Sequence, residues 1–207
     1  AAFVGWAAGL AYHAVVLHWV YATCRFALIP PPVALLAWLA LAAFLALNWG
    51  AAAWLGRRLS EAAVGPRRPW IWAIVWTAGV AATTRWTPRV AVDLLAYTQA
   101  PNLYLIQAGA WGGPHLVGFL VVLFKASLSE ALGAGRGARR RLIAPAAALV
   151  AAVGLHGAWA LSRRPAQPPG PALRVEILQP LIDQYHKWDE AYVQQILRGF
   201  DELLSRP

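Results

Sequence analysis

Negative charge is nearly missing from the first 164 residues. Glu61, Asp93 and Glu130 are the only acids there, set against 14 Lys and Arg. Charged residues make up 13% of the chain and hydrophobic residues 59%, with a mean hydropathy of +0.49. A soluble domain carries roughly 25% charged residues, so a water-exposed surface over this region is excluded. Cysteine is nearly missing too. Cys24 alone cannot close an internal disulfide or form a CxxC pair, and it reads as a small buried hydrophobe. Methionine is missing, and the chain opens at Ala1 inside an apolar run without a basic start and a cleavage site. The expectation is an internal piece of a longer protein. Gly-rich phosphate loops, GxSxG and HExxH motifs are missing as well. No catalytic residue, metal site or cofactor is expected within the chain.

What is present is five apolar runs: Ala1–Cys24, Pro32–Leu55, Pro69–Thr84, Leu103–Phe124 and Leu142–Leu161. Each is close to the ~20 residues a helix needs to cross a hydrocarbon core. The third is the shortest. The loops after runs two and four carry nine basic residues: Arg57, Arg58, Arg67, Arg68, Lys125, Arg136, Arg139, Arg140 and Arg141. The alternate loops carry five: Arg25, Arg85, Arg89, Arg163 and Arg164. With all five runs spanning, the positive-inside rule puts the nine in the cytoplasm and everything after Arg164 outside. The sequence pI near 10.6 belongs to these groups between apolar runs. That is membrane patterning, and nucleic acid is not an expected partner.

Twelve tryptophans fall mostly near the ends of the runs, among them Trp6, Trp19, Trp49, Trp54, Trp70, Trp72, Trp86 and Trp159. They are expected to form an interfacial belt. Tyr12, His13, His18, Asn48 and His156 are expected to hydrogen-bond between helices. His13 and His18 lie five apart and do not share a helix face, which argues against a metal pair. Gly112, Gly113 and Pro114 should loosen run four beside His115. Broken helices are tolerated in membranes where they face protein or a water-filled cavity, so Gly112–His115 is a cavity candidate. Between runs three and four, Trp86, Val90, Leu94 and Tyr97 fall at spacings of four, four and three. They suit either a short amphipathic helix at the interface or an ordinary loop.

At Ser162–Pro171 the character of the chain changes. Residues 165–207 hold six acids against four basic residues. The expected domains are a helical membrane part over 1–164, a Pro-rich linker over 165–172 and a water-soluble start over 173–207. In the last, Leu173, Val175 and Ile177 alternate as a short strand. Asp189 then caps a helix with Val193, Ile196, Leu197, Phe200, Leu203 and Leu204 on one face. Strand, loop and helix together begin an α/β domain.

These residues resemble a known family. Arg174-Val-Glu-Ile-Leu-Gln179-Pro180, followed by Ile182-Asp-Gln-Tyr-His-Lys187-Trp188-Asp189, is similar to the opening of the nitrilase-like domain of bacterial apolipoprotein N-acyltransferases. Ala96-Tyr97-Thr98-Gln99 looks like that family's "GYSQ", and Leu105-Ile106-Gln107-Ala108 with Phe119-Leu120-Val121-Val122 looks like one of its spans. The resemblance implies a polytopic α-helical membrane protein of about five helices, followed by the first strand and helix of an α/β nitrilase-like domain. It implies transfer of an acyl chain from a phospholipid to the N-terminal diacylglyceryl-cysteine of a lipoprotein, through a thioester on a Glu–Lys–Cys triad. None of that triad has a counterpart here, so the piece alone is expected to be inactive. The implied partners are a phospholipid acyl donor, a diacylated apolipoprotein and membrane lipid. The implied place is the bacterial inner membrane, with the C-terminal domain periplasmic. Trp188 and Lys187 are candidate substrate contacts in the soluble start, and Tyr97 and Gln99 are candidates for lining lipid access. A transporter, or a non-catalytic scaffold with an extracytoplasmic cap, are the alternative readings.

Overall fold

The computed structural model describes every residue except 64, 87–93, 164–174, 184–185, 188 and 206–207. The chain forms two compact units, Ala1–Arg164 and Pro165–Pro207. The described elements of the first are all helical: α1 (Ala2–Val16), α2 (His18–Phe26), α3 (Pro31–Glu61), α4 (Arg68–Trp86), α5 (Gly109–Leu132) and α6 (Arg136–Ser162). Short 3₁₀ turns at Gly65–Arg67, Leu95–Gln99 and Leu105–Ala108 join them. α1 and α2 both pack on α3, and from α3 each helix packs on the next in order through to α6.

Run one is therefore not one straight span. α1 and α2 meet at Leu17 with a 45° bend. Leu17 is almost wholly buried, and its N–H still bonds His13 O at 2.9 Å. α2 ends where Ile29 N bonds Cys24 O at 3.0 Å and Leu28 N bonds Arg25 O at 3.1 Å. That is a left-handed helix stop, and Leu28 (φ 59°) occupies the position glycine usually fills. α3 begins on Pro31 and Pro32, where a missing N–H costs nothing because no helical acceptor precedes it.

Among the described residues, three helices are long and apolar enough to cross a membrane: α3, α6, and α5 taken with its preceding turn. The bent pair α1/α2 makes a fourth if it counts as one span. Five were expected, and α4 is the one that falls short. At 19 residues it is about 28 Å long, but Arg68 and Arg85 lie at its ends and Thr77, Thr83 and Thr84 interrupt its apolar character.

Close packing in the first unit relies on small residues, as expected where lipid supplies no hydrophobic drive between helices. Ala42, Ala46 and Gly50 of α3 are buried. A Cβ added to Gly9 of α1 would lie 2.7 Å from Trp49 Cγ and 3.2 Å from Ala46 Cα. The tryptophans also depart from the expected belt. Trp6 Nε1 donates to Ala43 O at 3.2 Å. Trp49 meets Tyr12 at 5.1 Å and Trp76 at 4.9 Å between ring centres. These rings fill helix interfaces, whereas Trp19, Trp54, Trp111 and Trp159 remain exposed.

In the second unit, Asp189 Oδ1 accepts from Ala191 N at 2.9 Å, opening a 3₁₀ turn that leads into α7 (Val193–Leu204). The cap was expected at this residue, and the helix follows a turn later. The strand expected over Leu173–Ile177 is not formed in its described part. Residues 175–183 carry no regular secondary structure. A strand persists only against a paired neighbour, and the described residues of this unit supply none. The linker over 165–172 lies outside the described residues, as do Val90 of the expected interfacial helix and Trp188.

Candidate functional site

The break in run four sets the geometry of the first unit. Within α5, Gly112 (φ −144°, ψ 20°) and Gly113 (φ 60°, ψ −159°) leave the helical region just before Pro114. The Gly113 conformation is open essentially to glycine alone. A continuous helix can thus restart at Pro114.

Pro114, His115 and Gly118 form one wall of a cavity of about 80 Å³. The opposite walls come from α1 through Tyr12 and His13, and from α3 through Asn48 and Trp49. α4 contributes Trp76, Thr77, Thr83 and Thr84, and the start of the Leu95–Gln99 turn adds Leu94 and Leu95. Four helices and a turn therefore converge on one small chamber of mostly apolar surface with several polar groups. It takes in Pro114 and His115 at the end of the break and three of the polar residues expected between helices, Tyr12, His13 and Asn48.

His13 is 3% exposed, and its Nδ1 donates to Gly9 O at 2.8 Å. That bond fixes the tautomer, because a carbonyl can only accept. Its ring lies edge-on to Tyr12 at 5.2 Å and to Trp49 at 6.0 Å. The Asn48 amide abuts the α4 backbone so closely that a Cβ on Gly79 would sit 2.7 Å from Oδ1. Thr83 Oγ1 donates to Val80 O at 2.9 Å and Thr84 Oγ1 to Ala81 O at 3.0 Å. The Thr84 oxygen keeps acceptor lone pairs. Thr77 Oγ1 is buried with no hydrogen-bond partner among the described residues. A buried orphan hydroxyl costs about 1–3 kcal/mol, so it marks a place where a water or a ligand group has something to bond.

No carboxylate, amine or thiol is among the residues lining the chamber. It can orient hydroxyl, ester or amide groups through Tyr12, the histidines, the threonines and Asn48. Among the described residues no group of three metal-ligating side chains occurs. Cys24 lies half-buried in α2. His18, in α2 beyond the bend, is exposed and bonds Val15 O at 3.1 Å. His156 packs in α6 against Trp111 at 4.2 Å.

The sequence-predicted contacts fall elsewhere. Tyr97 is exposed, and Gln99 Nε2 donates to Thr98 Oγ1 at 3.0 Å. Both belong to the Leu95–Gln99 turn, whose first residue lines the chamber while they do not. Lys187 is exposed in the second unit, its N–H bonded to Asp183 O at 3.0 Å. Sequence reasoning missed Thr77 and Trp76. The available signal was a threonine within an apolar run, the same kind of signal that singled out Asn48.

The comparisons with known proteins agree along the whole chain. The family described as "Apolipoprotein N-acyltransferase N-terminal domain" matches residues 1–127. An apolipoprotein N-acyltransferase of Gloeobacter violaceus is 29% identical over 98% of this chain and 40% of its own length. One of Caulobacter vibrioides is 30% identical over 98% of this chain and 37% of its own length. No solved structure matches. The chain spans about two fifths of the curated relatives it matches. A family match over more than half the chain, carried by the same helices that build the chamber, decides the assignment: the chain belongs to the apolipoprotein N-acyltransferase family.

Proposed function

We propose that this chain is the membrane platform, and the start of the catalytic domain, of an enzyme that moves an acyl chain from a phospholipid to the N-terminal diacylglyceryl-cysteine of lipoproteins. The observation that carries this reading is alignment with two N-acyltransferases over 98% of the chain, together with the family match over residues 1–127. In this reading the thioester chemistry lies outside the two fifths of the protein that this chain aligns with. The polar chamber suits a supporting role. Its hydroxyls and amide would hold ester or hydroxyl groups.

In this proposal α4 is the fifth span, held between α3 and α5. The nine basic residues then face the cytoplasm of a bacterial inner membrane, and the unit after Arg164 lies in the periplasm. Residues 173–207 open a nitrilase-like domain, whose later strands would pair residues 173–177 and cover α7. Trp188 and Lys187 lie at its mouth, the indole packing on the acyl chain or the headgroup. Tyr97 and Gln99 border the route by which lipid enters.

The test uses the full-length protein in a bilayer with a phospholipid donor and a diacylated lipopeptide. N-acylated product is expected, and its absence from a folded preparation sinks the reading. Trp188→Ala in that protein should slow transfer while the helical unit keeps its melting temperature. Unchanged turnover would reduce Trp188 to a structural role.

A further inference from the structure

A second concavity lies between α1 and the later half of α3, apart from the polar chamber. Its floor is Gly50 and Ala51, and Phe3, Trp6, Leu47 and Trp54 wall it. It holds about 440 Å³. The walls offer almost nothing polar, since Trp6 Nε1 is already bonded to Ala43 O. Phe3 is 75% exposed and Trp54 51%.

The residues along α3 are in register. Leu47, Ala51 and Trp54 succeed one another at steps of four and three, which keeps them on one helix face. The next step of four is Arg58, whose guanidinium carbon lies 5.9 Å from the centre of the Trp54 ring. The eleven steps from Leu47 to Arg58 span about 16 Å of helix, close to half of a ~30 Å hydrocarbon core. That is the depth of one lipid leaflet. An acyl chain lying in this groove thus brings its phosphate to Arg58.

The charge at this end selects the headgroup. Arg57 is held by Glu61 at 2.9 Å. Arg68 lies 3.8 Å from Glu130. Arg58 bonds no carboxylate among the described residues and rests on Trp54. The helix ends and the turn at this end carry nine basic residues, with only Glu61 and Glu130 beside them. We propose that the α1–α3 groove is a site for one anionic phospholipid, its acyl chain along Leu47, Ala51 and Trp54 and its phosphate on Arg58. A lipid with net negative charge is favoured over a zwitterionic one, because a choline group would be repelled by the same surplus. The site does not depend on the acyl-transfer reading.

The test is native mass spectrometry of the full-length protein given equal amounts of phosphatidylglycerol and phosphatidylcholine with identical chains. One phosphatidylglycerol should be retained in preference, and Arg58→Gln should cut that preference about five-fold. Arg58 is exposed, so the variant should keep its melting temperature. Ala51→Trp fills the groove and should abolish retention of either lipid. Arg140→Gln, at the same end but off the groove, should leave the preference intact. Equal retention of the two lipids by the unaltered protein overturns the proposal. So does an equal loss in the Arg140 variant, which would mean diffuse attraction only, and so does a groove in the full-length protein that retains no lipid.

Discussion

Gly157 offers the sharpest test of how the first unit is put together. It is a buried residue of α6, and a Cβ added there would run into the backbone carbonyl of Tyr104, with Tyr104 C at 2.7 Å and Cα at 2.9 Å. The obstacle is main chain, not the end of a flexible side chain. Nor can that main chain yield easily, since Leu105 N bonds Asn102 Oδ1 at 3.1 Å and Leu105 and Ala108 are buried just beyond. Gly157→Ala must lift the segment off α6 or push α6 aside. Overpacking of this kind costs about 1–3 kcal/mol, which at this chain length lowers the melting temperature by about 2–12 °C. Gly154 lies one turn away in the same helix, and nothing stands within 4 Å of its added Cβ. Gly154→Ala should hold the melting temperature or raise it, because alanine favours the helix by about 1 kcal/mol. Both variants can be melted side by side in detergent by intrinsic tryptophan fluorescence. If Gly157→Ala melts with Gly154→Ala, residues 100–108 do not dock on α6 as described.

The other perturbations separate strain from function. Gly113→Ala forces a side chain into φ 60°, ψ −159°, and should destabilise the protein by about 1–3 kcal/mol in the same melting assay, although no atom lies within 4 Å to clash. Thr77→Val replaces a buried, unpartnered hydroxyl. It should keep or raise the melting temperature while lowering acyl transfer by the full-length protein, and a loss of stability with unchanged transfer would make the chamber a purely structural feature. Leu28→Gly relieves a left-handed residue that is 84% exposed, and should add up to about 1 kcal/mol if α2 ends as described.

What the sequence could disclose about this fold follows from which interactions are local. The helices over runs two to five were legible because apolar length and flanking charge are properties of consecutive residues. The break at Gly112–Pro114 was legible for the same reason, since two glycines and a proline weaken a helix wherever they stand. The bend at Leu17 left no such mark. It depends on Leu17 being buried beneath two helices that both pack on α3, which is a tertiary fact. The tryptophans misled because position along a run says how deep a ring sits and nothing about which way it points. Trp49 faces Tyr12 and Trp76, while Trp54, five residues on, faces outward. The chamber was half legible: His13, Asn48 and His115 stood out as polar residues in apolar runs, whereas Thr77 matters only because Asn48 and His115 come to it from other helices. The expected strand marks the limit of such reasoning. Alternation at Leu173, Val175 and Ile177 encodes a pair of faces, but a strand also needs a neighbour for its backbone, and no alternation within seven residues can encode that neighbour. α7 shows the same dependence from the other side. Its helix closes its own hydrogen bonds and so forms, while Val193, Leu197 and Leu204 stay exposed. Local bonds suffice for a helix and not for a strand, so the start of an α/β unit would show its helix before its sheet.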